Sequence, residues 1–186
     1  VTINVSQATD TNYLAGNTSF ELTVDKAVPT IGTLADISKN YGDADFDLVA
    51  PTSDATGAVS FESSDLNVAT IIGNTVHIVG GGSATITATQ VTDANYLEAI
   101  TTATLTVDKA APTLAAMADL TKTYGDANFI ISVPTSNSTG AITLSSSNTS
   151  VATISGTTIT IIGAGTTTIT AAQAGDANYD PGATTT

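Results

Sequence analysis

The chain has no cysteine, no tryptophan and no arginine, and only one histidine and one methionine. Without cysteine there is no disulfide scaffold, no thiolate zinc site and no cysteine nucleophile. A serine nucleophile lacks a credible base as well, because the one histidine has no partner in the sequence pattern and no Gly-x-Ser-x-Gly turn occurs. Positive charge is scarce: four lysines stand against 17 acidic residues, for a net charge of −13 and a pI near 4.1. Such a chain repels phosphate backbones and anionic lipid, so nucleic acid is not an expected partner. No apolar run approaches the roughly 20 residues that span a bilayer, so no membrane span is expected in this segment. No cleavable leader is visible, and because it opens on Val1 the chain reads as a segment of something longer.

Charged residues make up only 11%, but hydrophobic residues reach 41%, which is too many for a disordered chain. Threonine, valine, isoleucine and glycine are abundant, and that mixture favours strands over helices.

The most informative feature is internal repetition. Asp93-Ala94-Asn95-Tyr96 recurs as Asp176-Ala177-Asn178-Tyr179, and Asp10-Thr11-Asn12-Tyr13 is a near copy the same distance upstream. Tyr41-Gly42-Asp43-Ala44 returns as Tyr124-Gly125-Asp126-Ala127, and Val24-Asp25-Lys26-Ala27 as Val107-Asp108-Lys109-Ala110. The offset in numbering is the same in every case, as from 10 to 93 to 176. Residues 27–103 and 110–186 are identical at about half their positions. The expected organisation is the tail of one repeat (1–26), a complete repeat (27–109) and a repeat lacking its last strand (110–186). A residue with repeat-level work should occur in both copies.

Each copy reads as short strands with period-two alternation, bounded by Gly, Pro, Asn and Asp. Ala84, Ile86 and Ala88 share one face, with Thr85 and Thr87 on the other; Ala103, Leu105 and Val107 line the last strand. Seven antiparallel strands are expected in the complete copy, near 30–34 (continuing at 37–39), 46–49, 59–63, 68–72, 75–79, 84–90 and 101–107. This pattern predicts an all-β fold of tandem immunoglobulin-like β-sandwiches. A unit of about 83 residues buries only some 60–65% of its chain surface, so modest stability and help from neighbouring repeats are expected.

The segments Val59-Ser60-Phe61-Glu62-Ser63-Ser64-Asp65, Val68-Ala69-Thr70-Ile71 and Gly80-Gly81-Gly82-Ser83-Ala84-Thr85-Ile86-Thr87-Ala88 resemble group 2 bacterial immunoglobulin-like repeats of the invasin and intimin type. The Tyr-Gly-Asp and Asp-Ala-Asn-Tyr elements resemble the YGX-type repeats of large exported bacterial proteins. The resemblance covers essentially the whole chain. It implies a stalk or spacer in an extracellular, cell-surface or secreted protein, with no catalytic residues to carry over. The true immunoglobulin Cys–Trp–Cys core is absent, so the likeness is architectural.

Alternating strands would gather the turns 41–45, 63–67 and 80–82 at one end of a copy, and the loops 51–57, 73–74 and 93–96 at the other. In tandem, Tyr41, Gly42 and Asp43 of one copy should then lie near Asp176, Asn178 and Tyr179 of the next, forming an inter-domain joint. The linker Val107-Asp108-Lys109-Ala110-Ala111-Pro112 is short and stiffened by proline, which predicts a semi-rigid rod. The same geometry would bring Asp43, Asp45, Asp65, Asp108 and Asp176 together as candidate ligands for calcium, which takes six to eight oxygens. Against that, Asp45 becomes Asn128 and Asp65 becomes Asn148 in the other copy, and turn-forming Asp and Asn need no metal. No cofactor is required, and calcium is the one candidate.

Other candidates have bland readings. Asp93, Asn95 and Tyr96 fit an Asx-type turn followed by a packing tyrosine better than a ligand loop. His77 falls on an outer strand face without a partner, and its counterpart is Thr160. The lysines recur as Lys26/Lys109 and Lys39/Lys122 in linker or turn contexts, where a salt bridge is expected in preference to an isopeptide crosslink. Gly80-Gly81-Gly82 precedes no helix and is not a phosphate cradle. Of the three glutamates, Glu62 faces Ser145 and Glu98 faces Pro181, so no carboxylate pair recurs for glycoside hydrolysis. The expectation is a non-enzymatic stalk of a bacterial adhesin or secreted filamentous protein. Its partners are neighbouring repeats of the same chain, with a host or environmental surface or glycan engaged through the parent protein. The alternative is that the repeats themselves bind carbohydrate or a surface, or associate laterally into a filament.

Overall fold

The structure, a computed structural model, describes residues 1–185, so the last position of the expected 110–186 repeat lies outside the described residues. It is all-β, with no helix among those residues. The strands β1 (Thr2–Gln7) and β2 (Gly16–Glu21) form an antiparallel hairpin. Within 27–109 lie β3 (Ile37–Asn40), β4 (Phe46–Asp47), β5 (Val59–Ser63), β6 (Ala69–Ile72), β7 (Thr75–Ile78), β8 (Gly82–Gln90) and β9 (Ala99–Asp108). Within 110–185 lie β10 (Phe129–Ile130), β11 (Ile142–Ser146), β12 (Ala152–Ser155), β13 (Thr158–Ile161), β14 (Ile169–Gln173) and β15 (Gly182–Thr185).

Residues 27–109 carry a sheet of order β3-β9-β8-β5 and a sheet of order β4-β7-β6. Residues 110–185 carry sheets of order β11-β14-β15 and β10-β13-β12, the same arrangement moved on by one repeat but without a counterpart of β3. Strand pairing stays within each segment among the described residues.

Alternation explains the packing. In β8, Ala84, Ile86 and Ala88 are buried and Ser83 and Thr85 are exposed; in β9, Ala103, Leu105 and Val107 are buried and Thr102, Thr104 and Thr106 are exposed. The inward residues of both sheets meet in one cluster that holds Leu48, Val76, Ile78, Ile86, Leu105 and Val107. Each fully buried Leu or Ile contributes roughly 1.5–3 kcal/mol. The aromatics Tyr41, Phe46 and Phe61 pack against this cluster but are only partly buried, so its centre is made of many small aliphatic contacts.

Three strand expectations need correction. Residues 30–34 form no strand: Ile31 makes a single bridge to Ser53, while the N–H groups of Thr30 and Gly32 donate to Asp54 Oδ1 and the Thr52 carbonyl. Pro29 has no N–H to give and Asp54 captures the next donor, so no ladder propagates. The expected 46–49 strand shortens to two residues. The ladder is also not wholly antiparallel: β3 pairs in parallel with β9, Ile37 opposite Leu105 and Asn40 opposite Asp108. The reason is directional. The chain enters beside Tyr96, where Ala27 bridges in parallel, and leaves by the opposite end, so its first and last strands run the same way.

Candidate functional site

The recurring Asp-x-Asn-Tyr loop is built around its aspartate. Asp93 Oδ1 accepts the N–H groups of Asn95 and Tyr96, both at 2.8 Å, and Oδ2 accepts the Thr56 N–H at 2.8 Å and its hydroxyl at 3.0 Å. Asp176 repeats this on Asn178, Tyr179 and Thr139, with the Ser138 hydroxyl added at 2.9 Å. Asp10 Oδ1 likewise accepts from Asn12 and Tyr13 at 2.8 Å. At Asp93 and Asp176 the donors stabilise the ionised form. The Asp93 carboxyl is held well below the ordinary carboxylate range, chiefly by the Thr56 N–H and then by those of Asn95 and Tyr96. Asp176 is held equally low, chiefly by the N–H groups of Asn178 and Thr139. The Asx-type turn therefore ties the loop to the 53–57 and 136–140 loops and leaves no free carboxylate oxygen pair for a ligand.

That turn presents Asn178 and Tyr179 to the preceding segment. The rings of Tyr41 and Tyr179 meet edge to face, with centroids 5.4 Å apart and an interplanar angle of 82°, a geometry that aromatic quadrupoles favour. The Gly81 N–H donates to Asn178 Oδ1 at 3.0 Å. A side chain on Gly81 would bring its Cβ within 2.9 Å of the Ala177 carbonyl oxygen, so the close approach requires glycine there. Tyr41 is itself tied to the exit strand, its N–H donating to the Asp108 carbonyl at 2.8 Å. Gly42 takes φ +91° in the turn behind it, and Asp43 Oδ2 closes that turn by accepting the Asn40 N–H at 2.9 Å. Beyond Asp108, Lys109 Nζ donates to the Asp176 carbonyl at 2.6 Å, as Lys26 Nζ does to the Asp93 carbonyl. Tyr41, Gly81 and the linker thus close on one loop of the following segment.

The calcium set does not assemble. Among the described residues, no three His, Asp or Glu side chains stand close enough to hold a metal. Asp43 closes its turn, Asp65 Oδ1 accepts from the N–H and side-chain amide of Asn67, and Asp176 is spent on its own loop. Asp45 faces His77 instead, Oδ1 to Nδ1 at 2.7 Å. This also corrects the expectation that His77 has no partner. The pair is exposed, and such surface contacts contribute little. The lysine expectation changes as well. Lys26 and Lys109 bind carbonyl oxygens rather than acids, and Lys39 and Lys122 sit 4.8 Å over the rings of Phe46 and Phe129.

One recurrent feature went unread in the sequence. Gln90 is 3% exposed; its Oε1 accepts the Ser53 hydroxyl, and its amide donates to the carbonyls of Ala55 and Gly57 at 3.1 and 3.0 Å. Gln173 repeats the arrangement with Ser136, Ser138 and Gly140. The signal was present as Gln90 and Ser53 returning one repeat on as Gln173 and Ser136. Gln90 and Gln173 fall at inward strand positions, where a buried amide must be fully paired.

No protein-family model and no curated protein matches the chain. Among solved structures, a SusE-like surface-located polysaccharide-binding protein of the Bacteroides thetaiotaomicron heparin utilisation locus is similar at 14% identity and a TM-score of 0.32. The match takes in 98% of this chain, which spans 36% of the length of that one. A likeness this weak carries no argument about function.

Proposed function

We propose that the chain is a run of tandem immunoglobulin-like β-sandwich repeats serving as a non-catalytic, extracellular stalk or spacer in a large bacterial surface adhesin or secreted filamentous protein. The observation that supports this reading is the joint. Two motifs that recur with the repeat, Tyr-Gly-Asp and Asp-Ala-Asn-Tyr, are spent on the contact of Tyr41 and Gly81 with Asn178 and Tyr179. A contact made of repeat-encoded residues can be rebuilt at every junction, so each unit adds length and each joint limits bending. Catalysis has no support in the residues: the carboxylates with strongly shifted affinity are consumed by backbone donors.

Small-angle scattering on dilute protein tests the proposal. An elongated particle is expected, with a broader distribution of shapes for Tyr41→Ala combined with Asn178→Ala. A particle in which the segments fold side by side, or one whose shape ignores those substitutions, would contradict it. Glycan-array binding by the same protein, lost on substituting exposed threonines, would instead favour a direct carbohydrate-binding role.

A further inference from the structure

Segment 27–109 pairs the first strand of its larger sheet with the last, in the same direction, and that decides how it meets a pull along the chain. Ile37 stands opposite Leu105 and Asn40 opposite Asp108 in the parallel ladder of β3 with β9. Two further bonds bracket the ladder. At its lower end the Thr104 N–H donates to Asp36 Oδ1 at 2.7 Å, and at its upper end the Tyr41 N–H donates to the Asp108 carbonyl at 2.8 Å. The inward side is dry: Leu105 and Val107 are 0% and 2% exposed, and Ile37 and Tyr41 pack against the same core cluster. β3 is an edge strand, so β9 is the strand that holds it.

Entry and exit lie at opposite ends. The Ala27 N–H donates to the Asn95 carbonyl at 2.9 Å and its carbonyl accepts the Leu97 N–H at 2.8 Å, just before β9 begins. From there the chain reaches β3 through isolated contacts, such as Ile31 with Ser53 and the Gly32 N–H with the Thr52 carbonyl. The exit has no slack. Asp108 holds Tyr41, and Ala110 is already seated on the next segment, its N–H donating to the Asn178 carbonyl and its carbonyl accepting the Asp180 N–H, both at 2.9 Å. Lys109 alone separates the two attachments.

We infer that β3 and the end of β9 form a shear clamp, the element that resists tension applied along the chain. Tension draws β3 toward the entry end and β9 toward the exit. Because the strands run the same way, it slides one along the other, and every bond of the ladder carries load at once. Neighbouring strands pulled from one shared end part pair by pair instead. Residues 27–34, held by isolated contacts, yield first, and the core opens when β3 slips and takes Ile37 with it. Resistance of this kind suits a spacer under tension, a use that rests on the reading above; the clamp itself follows from strand direction.

Force spectroscopy on the full chain tests this, because a protein without cysteine accepts two introduced thiols as unique handles. Val28→Cys with Ala111→Cys loads the ladder in shear. Ala44→Cys with Ala111→Cys puts both handles at the exit end and peels β3 from Asn40. All three positions are exposed. Forced unfolding reads the unfolding rate, not the equilibrium stability. At one loading rate the shear pair should need a several-fold higher force than the peeling pair, with roughly 25 nm of chain released as 27–109 opens in shear. Two proline variants then locate the resistance. N–H groups alternate along a strand. With that of Tyr41 on Asp108 and that of Asn40 on Asp43 Oδ2, the Lys39 N–H faces β9 and the Ser38 N–H faces away. Lys39→Pro should therefore lower the shear force far more than Ser38→Pro does. Equal forces in the two pulling directions overturn the inference; so does a Lys39→Pro effect no larger than that of Ser38→Pro, which would place the resistance outside the ladder. The directional comparison involves no β3 substitution, so it decides the matter even where Lys39→Pro does not fold. Neither result bears on the particle shape that tests the spacer role.

Discussion

At the scale of the residue, the aspartates of the Asp-x-Asn-Tyr loops organise the backbone around them. Each carboxylate holds two N–H groups of its own loop, and Asp93 and Asp176 also hold the N–H and hydroxyl of a threonine on a neighbouring loop. An acceptor-only group is required, because protonation converts one oxygen into a donor facing another donor. The consequence for acid stability has a definite sign. A carboxylate whose affinity for protons is lowered on folding adds stability that is fully present above its unfolded value of about 4. That stability is lost as pH falls from there toward the folded value. Thermal melts of the protein should therefore lose midpoint steeply below about pH 4. The double variant Asp93→Asn, Asp176→Asn should start lower at neutral pH, because an amide nitrogen then faces the Thr56 and Thr139 N–H groups. It should also lose less between neutral and acid pH. An acid loss as steep as in the parent protein would show that other carboxylates govern it.

At the scale of the element, β8 and β14 are the instructive pair. Their sequences run in parallel: Thr85-Ile86-Thr87-Ala88 returns as Thr168-Ile169-Thr170-Ala171, yet β8 has nine residues and β14 five. Propensity is equal, so the missing length reflects the missing neighbour: residues 82–85 have β9 to bond with, and 165–168 have no strand beside them among the described residues. A strand without a ladder exposes its N–H groups to water. Within the stretches 82–85 and 165–168, amide exchange should accordingly be much faster at Thr167 than at its counterpart Ala84, which lies opposite Leu105, whereas Thr168 and Thr85, whose N–H groups donate to the hydroxyls of Ser147 and Ser64, should differ little. Equal protection of the two stretches would mean that 165–168 is covered in solution by something other than its own segment.

The same comparison bears on what the sequence discloses. Period-two alternation located β5 through β9 within a residue or two, because their inward faces are mostly Val, Ile, Leu, Ala and Phe. It failed at 30–34, where apolar residues flank Pro29 and Gly32 and the donors go to Asp54 and Thr52. It also missed the parallel pairing of β3, because alternation carries no information on strand direction. For the site, repetition pointed to Tyr41 and Tyr179, whose contact the structure describes directly. Repetition without three-dimensional distances could not separate a joint from a metal site, and so it grouped five aspartates that each serve a different turn or partner. Gln90 was passed over because a polar residue closing a Thr-rich strand looks like surface until its three partners are seen.

At the scale of the whole molecule, the net charge of −13 and the calcium question are one problem. Like charges spread over a surface repel and destabilise the compact state, and mobile cations relieve that repulsion without any site. At an ionic strength of about 0.1 M the screening length is roughly 10 Å, so sodium is as effective as calcium once ionic strength is matched. A built site behaves differently, since it needs several oxygens gathered around one ion and saturates at its own dissociation constant. The aspartates here are dispersed: Asp43 in the turn after β3, Asp45 on His77, Asp65 on Asn67, Asp108 pairing through its backbone, and Asp176 in its loop. The melting midpoint should therefore rise with sodium chloride, rise by the same amount with calcium chloride at equal ionic strength, and stay unchanged on adding chelator to protein in sodium chloride. A saturable rise with submillimolar calcium, beyond what sodium gives, would require the acids of neighbouring units to be drawn together in a way that their present hydrogen bonds oppose. It would also make the joint a metal-clamped one, where the structure shows contact through tyrosine rings and an asparagine.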